Sequence, residues 1–194
     1  MFNLYIFDMG GVVSRNTNAA PDMAAHFEFD GTKTIDFARE DFRQLTTGKI
    51  SVEEFVRRFS FKRGHTAEDG LLDRFFEPEL DPDVAAIIDT LKNGARVVAG
   101  TNTIGPHYEI HLRKGDYRIF DAVYASHLIG LAKPDPAFYT YILEQEGCPA
   151  DRAVFIDDVP ANVEAARPLG IRSLVFTGAE NLKSDLATLK QQQA

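Results

Sequence analysis

The 194-residue chain is acidic, with 21 Lys and Arg against 29 Asp and Glu for a net charge of -8, and this disfavours a general nucleic-acid or anionic-membrane surface. Its 44% hydrophobic content suits one globular domain of ordinary size, or a core with a modest insertion. Cys148 is the only cysteine, so an intrachain disulfide and a cysteine-based zinc site are excluded and a reducing, cytoplasmic setting is expected.

In chain order, the opening MFNLYIFDMGGVV lacks the basic n-region of a signal peptide. Its apolar run Leu4 to Phe7 reads as a buried strand that ends on Asp8 and passes into Gly10 and Gly11. No later apolar segment approaches the roughly 20 residues needed to span a membrane, so neither export nor anchoring is expected. The interval from Ser14 to Asp83 is rich in Phe, Arg, Asp and Glu, shows no convincing strand and reads as helices. Ser51 and Glu54 make a capping box that opens SVEEFVRRF. An insertion of this size after the first strand is no simple crossover. Residues 15–83 are therefore expected to form a small helical cap over the carboxyl ends of the strands, with residues 1–14 and 84–194 as the core.

Asp81-Pro82 is a plausible start for the helix DVAAIIDTLKNG, which stops at Gly94. Four more apolar runs follow: Arg96 to Ala99, Ala122 to Ala125, Ala153 to Ile156 and Ser173 to Phe176. Between them, DPAFYTYILEQEG closes at Gly147 and NVEAARPLG at Gly170, with Pro168 unusual in a last helical turn. Continuous apolar strands alternating with helices predict an α/β fold, a three-layer Rossmann-like parallel sheet carrying the inserted cap.

Ligands in such a sheet bind outside the carboxyl ends of the strands. The polar residues expected there are Asp8, Thr101 with Asn102, Asp157 with Asp158, and Lys133 in GLAKPDP. Singly, each reads more simply as a turn, a cap or an exposed loop residue. Together, three carboxylates repel one another unless a cation lies among them, and an all-oxygen set favours Mg²⁺. Thr101, Asn102 and Lys133 add donors and positive charge suited to a tetrahedral dianion, and phosphoryl transfer requires little beyond positioning, a metal and a nucleophile.

The ordered set resembles the haloacid dehalogenase superfamily: FDMGGVV is similar to its first motif, VVAGTNT to its second, IGLAKPDPAFY to its third and VFIDDVPANVEAA to its fourth. The resemblance implies a Mg²⁺-dependent phosphatase with Asp8 as the nucleophile that forms an aspartyl-phosphate. Thr101 and Lys133 would hold the phosphoryl group. Asp8, Asp158 and the Gly10 carbonyl would bind Mg²⁺, Asp157 would assist, and Asn162 would brace the acidic loop. Asn102 and His107 are further candidate substrate contacts, and the insertion corresponds to a C1-type cap. The substrate expected is a small phosphorylated metabolite.

One departure stands out, because the commonest phosphatases of this superfamily carry Asp where this chain has Gly10. A glycine moves no proton, and general acid–base catalysis is typically worth about 10²- to 10⁴-fold. Three readings stay open: a phosphatase like the alpha-glucose-1-phosphatase branch, favouring good leaving groups such as a sugar 1-phosphate; a phospholigand-binding protein with little turnover; and a 2-haloacid dehalogenase. Arg15 and Asn16 are expected at the cap hinge. His111 and His127 are read as structural, the cap aromatics Phe37, Phe42, Phe55, Phe59, Phe75 and Phe76 as cap core, and Arg57-Arg58 and Lys62-Arg63 as a solvated helix face. Monomer and homodimer remain equally open.

Overall fold

Each apolar run of the core half forms a strand, and all five pair in parallel. The computed structural model describes residues 2–18, 31–63, 70 and 72–192; the side chains of Phe37, Lys62 and Arg63 lie outside the described residues. The sheet comprises β1 (Leu4–Phe7), β4 (Arg96–Thr101), β5 (Ala122–Ala125), β6 (Ala153–Asp157) and β7 (Arg172–Val175), in the order β5-β4-β1-β6-β7. Strand β4 runs two residues past its expected end and so carries Thr101 inside the sheet; β7 begins one residue early.

Side chains alternate across the strands, so the apolar runs feed both faces. Tyr5, Phe7, Val97 and Ile156 pack against α3 (Pro82–Lys92) and α8 (Ala179–Gln191). Leu4, Ile6, Val98 and Phe155 pack against α6 (Pro136–Glu146) and α7 (Pro160–Ala166). The result is the expected three-layer α/β core. Pro168, awkward for an α-helix, lies in a 3-10 turn over Arg167–Leu169 that follows α7. Helix α4 (Gly105–Lys114) follows β4, and the short α5 (Ser126–Ile129) follows β5.

The insertion carries α1 (Gly31–Thr46) and α2 (Val52–Arg63). Ser51 accepts from the Glu54 N–H at 3.2 Å, as its capping box requires. Leu45, Phe55, Phe59 and Leu72 form a small core with Ile104, whereas Phe42 is 43% exposed. Arg58 corrects the expectation of a purely solvated basic face, since it bridges Glu54 at 2.6 Å and Asp41 of α1 at 3.1 Å. A second correction is an antiparallel ribbon, β2 (Ser14–Arg15) with β3 (Glu79–Leu80), in the interval that shows no strand in the sequence. Two-residue strands with one half-exposed partner carry no readable period. Asp81, just after the ribbon, caps α3 through Oδ1 and pairs with Arg15 through Oδ2.

The insertion meets the core beside the carboxyl ends of the strands. Ser126 Oγ donates to the Thr46 carbonyl at 2.7 Å and accepts from the Thr103 N–H at 2.9 Å. No described helix is long and apolar enough to cross a membrane.

Candidate active site

The parallel register sets the site. Phe7 pairs with Ala99 on one side and Ile156 on the other, so Asp8 leaves the sheet level with Gly100 and Asp157. Lys133, from the loop before α6, enters from the side; its side chain is 1% exposed. Its ammonium lies 2.8 Å from Asp8 Oδ1 and 2.7 Å from Asp157 Oδ2. Asp8, Asp157 and Asp158 bring carboxylate oxygens within 4.8 Å of one another.

The three acids are not equivalent. Asp157 is fully buried. It accepts from Lys133, from the Val159 N–H at 2.8 Å, and from the Asn162 amide at 3.0 and 3.1 Å, so both of its oxygens are engaged. Asn162 thus braces the acidic loop by way of this carboxylate, and Asp157 anchors the lysine. Asp8 spends Oδ1 on Lys133 and on the Met9 N–H at 2.8 Å; among the described residues no hydrogen bond reaches Oδ2. Asp158 is exposed.

Burial pushes the Asp8 carboxyl up to about 6; the Lys133 ammonium pulls it back and the Asp157 charge adds to the rise. Burial, and then Asp157, also raise Asp158. Three carboxylates against one ammonium leave a local formal charge of -2. An all-oxygen set with that surplus fits a hard divalent cation such as Mg²⁺, with Asp8 and Asp158 as the carboxylates left to hold it.

The turn after Asp8 is one wall of this site. Gly11 has φ +76, and a β-carbon there would lie 2.3 Å from Asp158 Oδ2, so both the backbone and the approach of the third acid require glycine. Gly10 is different: it has no positive φ, and the space beside its Cα is taken by Thr17.

Thr101 is buried at the carboxyl end of β4. Two expected substrate contacts also make structural bonds. Asn102 donates to the Lys133 carbonyl at 2.8 Å and accepts from its N–H at 2.9 Å, so its carboxamide fixes the lysine loop. His107 donates through Nε2 to the Leu72 carbonyl at 2.6 Å and stacks on Phe76 with ring centroids 3.7 Å apart. It binds the segment that returns from the insertion, a structural role set by residues more than 30 positions away. His111 hydrogen-bonds Asp116 at 2.7 Å in the interior, in keeping with its structural reading. Arg15 pairs with Asp81 at the ribbon. The sequence reading overlooks Ser126, although its place directly after β5 is the signal that singles out the other edge residues.

The chain matches the haloacid dehalogenase-like hydrolase family over residues 2–170. It is 31% identical over 182 residues to the sesquiterpene phosphatase astK of Aspergillus oryzae, covering 91% of this chain and 90% of that one. It is 28% identical over 187 residues to the drimenol cyclase drtB of Aspergillus calidoustus, covering 84% of this chain but only 34% of that protein. A haloacid dehalogenase-family enzyme of Bacteroides thetaiotaomicron, solved with magnesium and inorganic phosphate, superposes with a TM-score of 0.76 at 21% identity, covering 91% and 95% of the two chains. The protein belongs to the haloacid dehalogenase-like hydrolase family.

Proposed function

We propose that the protein is a Mg²⁺-dependent phosphomonoesterase that cleaves a small phosphorylated metabolite through an aspartyl-phosphate on Asp8. The observation that carries this reading is the buried Lys133 ammonium held between Asp8 and Asp157, with Asp158 open beside them. The phosphatase name of the relative from Aspergillus oryzae supports it.

Lys133 orients Asp8 through Oδ1, so Oδ2 is the oxygen presented to phosphorus. As the Oδ2–P bond forms, the bond from phosphorus to the leaving oxygen breaks; water then attacks phosphorus and releases Asp8. The Lys133 ammonium and the Thr101 hydroxyl stabilise charge on the phosphoryl oxygens. Mg²⁺, held by Asp8, Asp158 and the Gly10 carbonyl, supplies charge neutralisation when bound. Asp157 and Asn102 fix the lysine.

The acid pair favours phosphate over a carbon–halogen substrate, because cleaving a carbon–halogen bond needs no metal ion and so no surplus of carboxylates to hold one. In this reading residues 15–83 form the cap that selects substrate, a sugar 1-phosphate is one candidate, and the protein works in the cytoplasm. The test is a screen of phosphorylated metabolites with Mg²⁺ beside an Asp8→Asn variant. Asp8→Asn should lose all detectable turnover while keeping its circular dichroism spectrum; retained hydrolysis would sink the mechanism.

A further inference from the structure

We infer that Thr17 supplies the hydrogen bond to the leaving group that a side chain at position 10 would otherwise provide, and that Gly10 is glycine because Thr17 occupies its space. The inference rests on the phosphomonoesterase reading. A β-carbon built on Gly10 would lie 3.1 Å from Thr17 Oγ1, 3.5 Å from its Cβ and 3.9 Å from its Cγ2. The Gly10 backbone itself admits a side chain, since its φ is not positive. What crowds one is the threonine, which would have to give by a few tenths of an ångström.

The path of the chain explains how a residue seven positions on returns to Gly10. The turn after Asp8 closes with the Gly11 N–H on the Ser14 carbonyl at 2.9 Å, and Ser14–Arg15 then pairs with Glu79–Leu80. Asn16 takes φ 56, a left-handed conformation that asparagine tolerates better than most residues. That bend folds Thr17 back over the turn. Arg15, tied to Asp81, holds the segment from the other side. Thr17 is half-buried, so its hydroxyl stays within reach of a ligand.

The position suits the departing oxygen. In-line attack by Asp8 drives the leaving group away from the attacking oxygen, and Thr17 stands beside Gly10 in the turn that follows Asp8, a place from which its hydroxyl would meet that group. As the P–O bond breaks, the leaving oxygen keeps the electron pair. The Thr17 O–H donates a hydrogen bond to it and retains its own proton, and the proton that completes the alcohol comes from water. A hydroxyl of this kind stabilises an alkoxide without acting as an acid, so it contributes most where the leaving group is poorest.

The experiment compares kcat/KM, with Mg²⁺, for an activated aryl phosphate such as 4-nitrophenyl phosphate and an alkyl phosphate such as glycerol 2-phosphate. Thr17→Val should lower the alkyl-to-aryl ratio about tenfold, the size of one transition-state hydrogen bond, and Thr17→Ser should restore it. Equal losses on both substrates would overturn the inference while leaving the phosphatase reading intact; a wild-type protein inert toward every phosphate would remove both. The packing half is read from thermal melts alone. Gly10→Ala should lower Tm in the wild type and not in a Thr17→Gly background; an equal drop in both would show that the two residues do not share the space.

Discussion

Asp157 and Asp158 are neighbours in the chain with opposite physical situations. Asp157 is the last residue of a buried strand and takes four hydrogen bonds from three donors, whereas Asp158 is exposed as a residue, with its carboxyl desolvated on one side and pushed toward protonation by that partial burial and by Asp157. Asp157→Asn keeps the shape but removes a charge from the interior, leaving Lys133 with Asp8 alone. Breaking a buried pair in this way typically costs about 3–5 kcal/mol. Asp158→Asn removes a repelled carboxylate and should change stability by less than about 0.5 kcal/mol without Mg²⁺. Urea denaturation of both variants checks the contrast, and a large loss from Asp158→Asn would refute it. The sequence placed both acids at the sheet edge, and the resemblance gave Asp158 to the metal and Asp157 a lesser part, but not the anchoring of Lys133 by Asp157. That bond depends on a lysine 24 positions away in the chain.

At the scale of elements, α4 and α5 form a seam rich in imidazole. His107 stacks on Phe76, His111 bonds Asp116, and the ring of His127 packs on Tyr108 with its Nδ1 buried and unpartnered among the described residues. Burial holds all three below the ordinary histidine value, against the pull of Leu72 and Asp73 on His107, of Asp116 on His111 and of Glu109 on His127. Near neutral pH both folded and unfolded states keep these rings uncharged. As pH falls through about 6.5 the unfolded chain binds protons that the folded chain resists, so stability declines with acid. Asp8, raised to about 6, works the other way and offsets part of the fall in the metal-free protein. His127→Phe removes one resisting group without orphaning a partner. Its Tm should therefore drop less than that of the wild type between pH 7.5 and 5.5, as melts across that range, taken at about half-unit steps, would show.

The elements themselves were readable to unequal degrees. Strand β1 and the helices with a proline start and a glycine stop carry their signals within a few residues, and the structure agrees with them closely. The ribbon β2–β3 does not, because its pairing partners, Ser14 with Leu80 and Arg15 with Glu79, are brought together from opposite ends of the insertion. The tie from His107 to Leu72 and Phe76 is hidden for the same reason: both neighbours are brought to it by the return of the insertion.

For the whole molecule, the proposed Mg²⁺ site would tie folding to the cation through the surplus negative charge at the sheet edge. A ligand that binds only the folded state at 100 times its Kd stabilises by about 2.7 kcal/mol, which for a chain of this length corresponds to roughly 5–10 °C in Tm. Saturating Mg²⁺ should raise Tm by that order over EDTA, and Asp158→Asn should lose most of the gain. A melt indifferent to Mg²⁺ in the wild type would contradict the proposed metal site.

The ribbon also has a meaning for how such a protein changes over generations. Exit and re-entry lie side by side at Ser14–Arg15 and Glu79–Leu80, stitched by Arg15 and Asp81. The chain between them begins and ends at one doorway, so the sheet registers nothing of its length. Closing a longer excursion adds only a slowly growing entropy. Segments of different size and sequence can therefore be exchanged through that doorway while Asp8, Lys133 and Asp157 stay where they are; on the proposed function, new substrates would then be tried without rebuilding the catalyst.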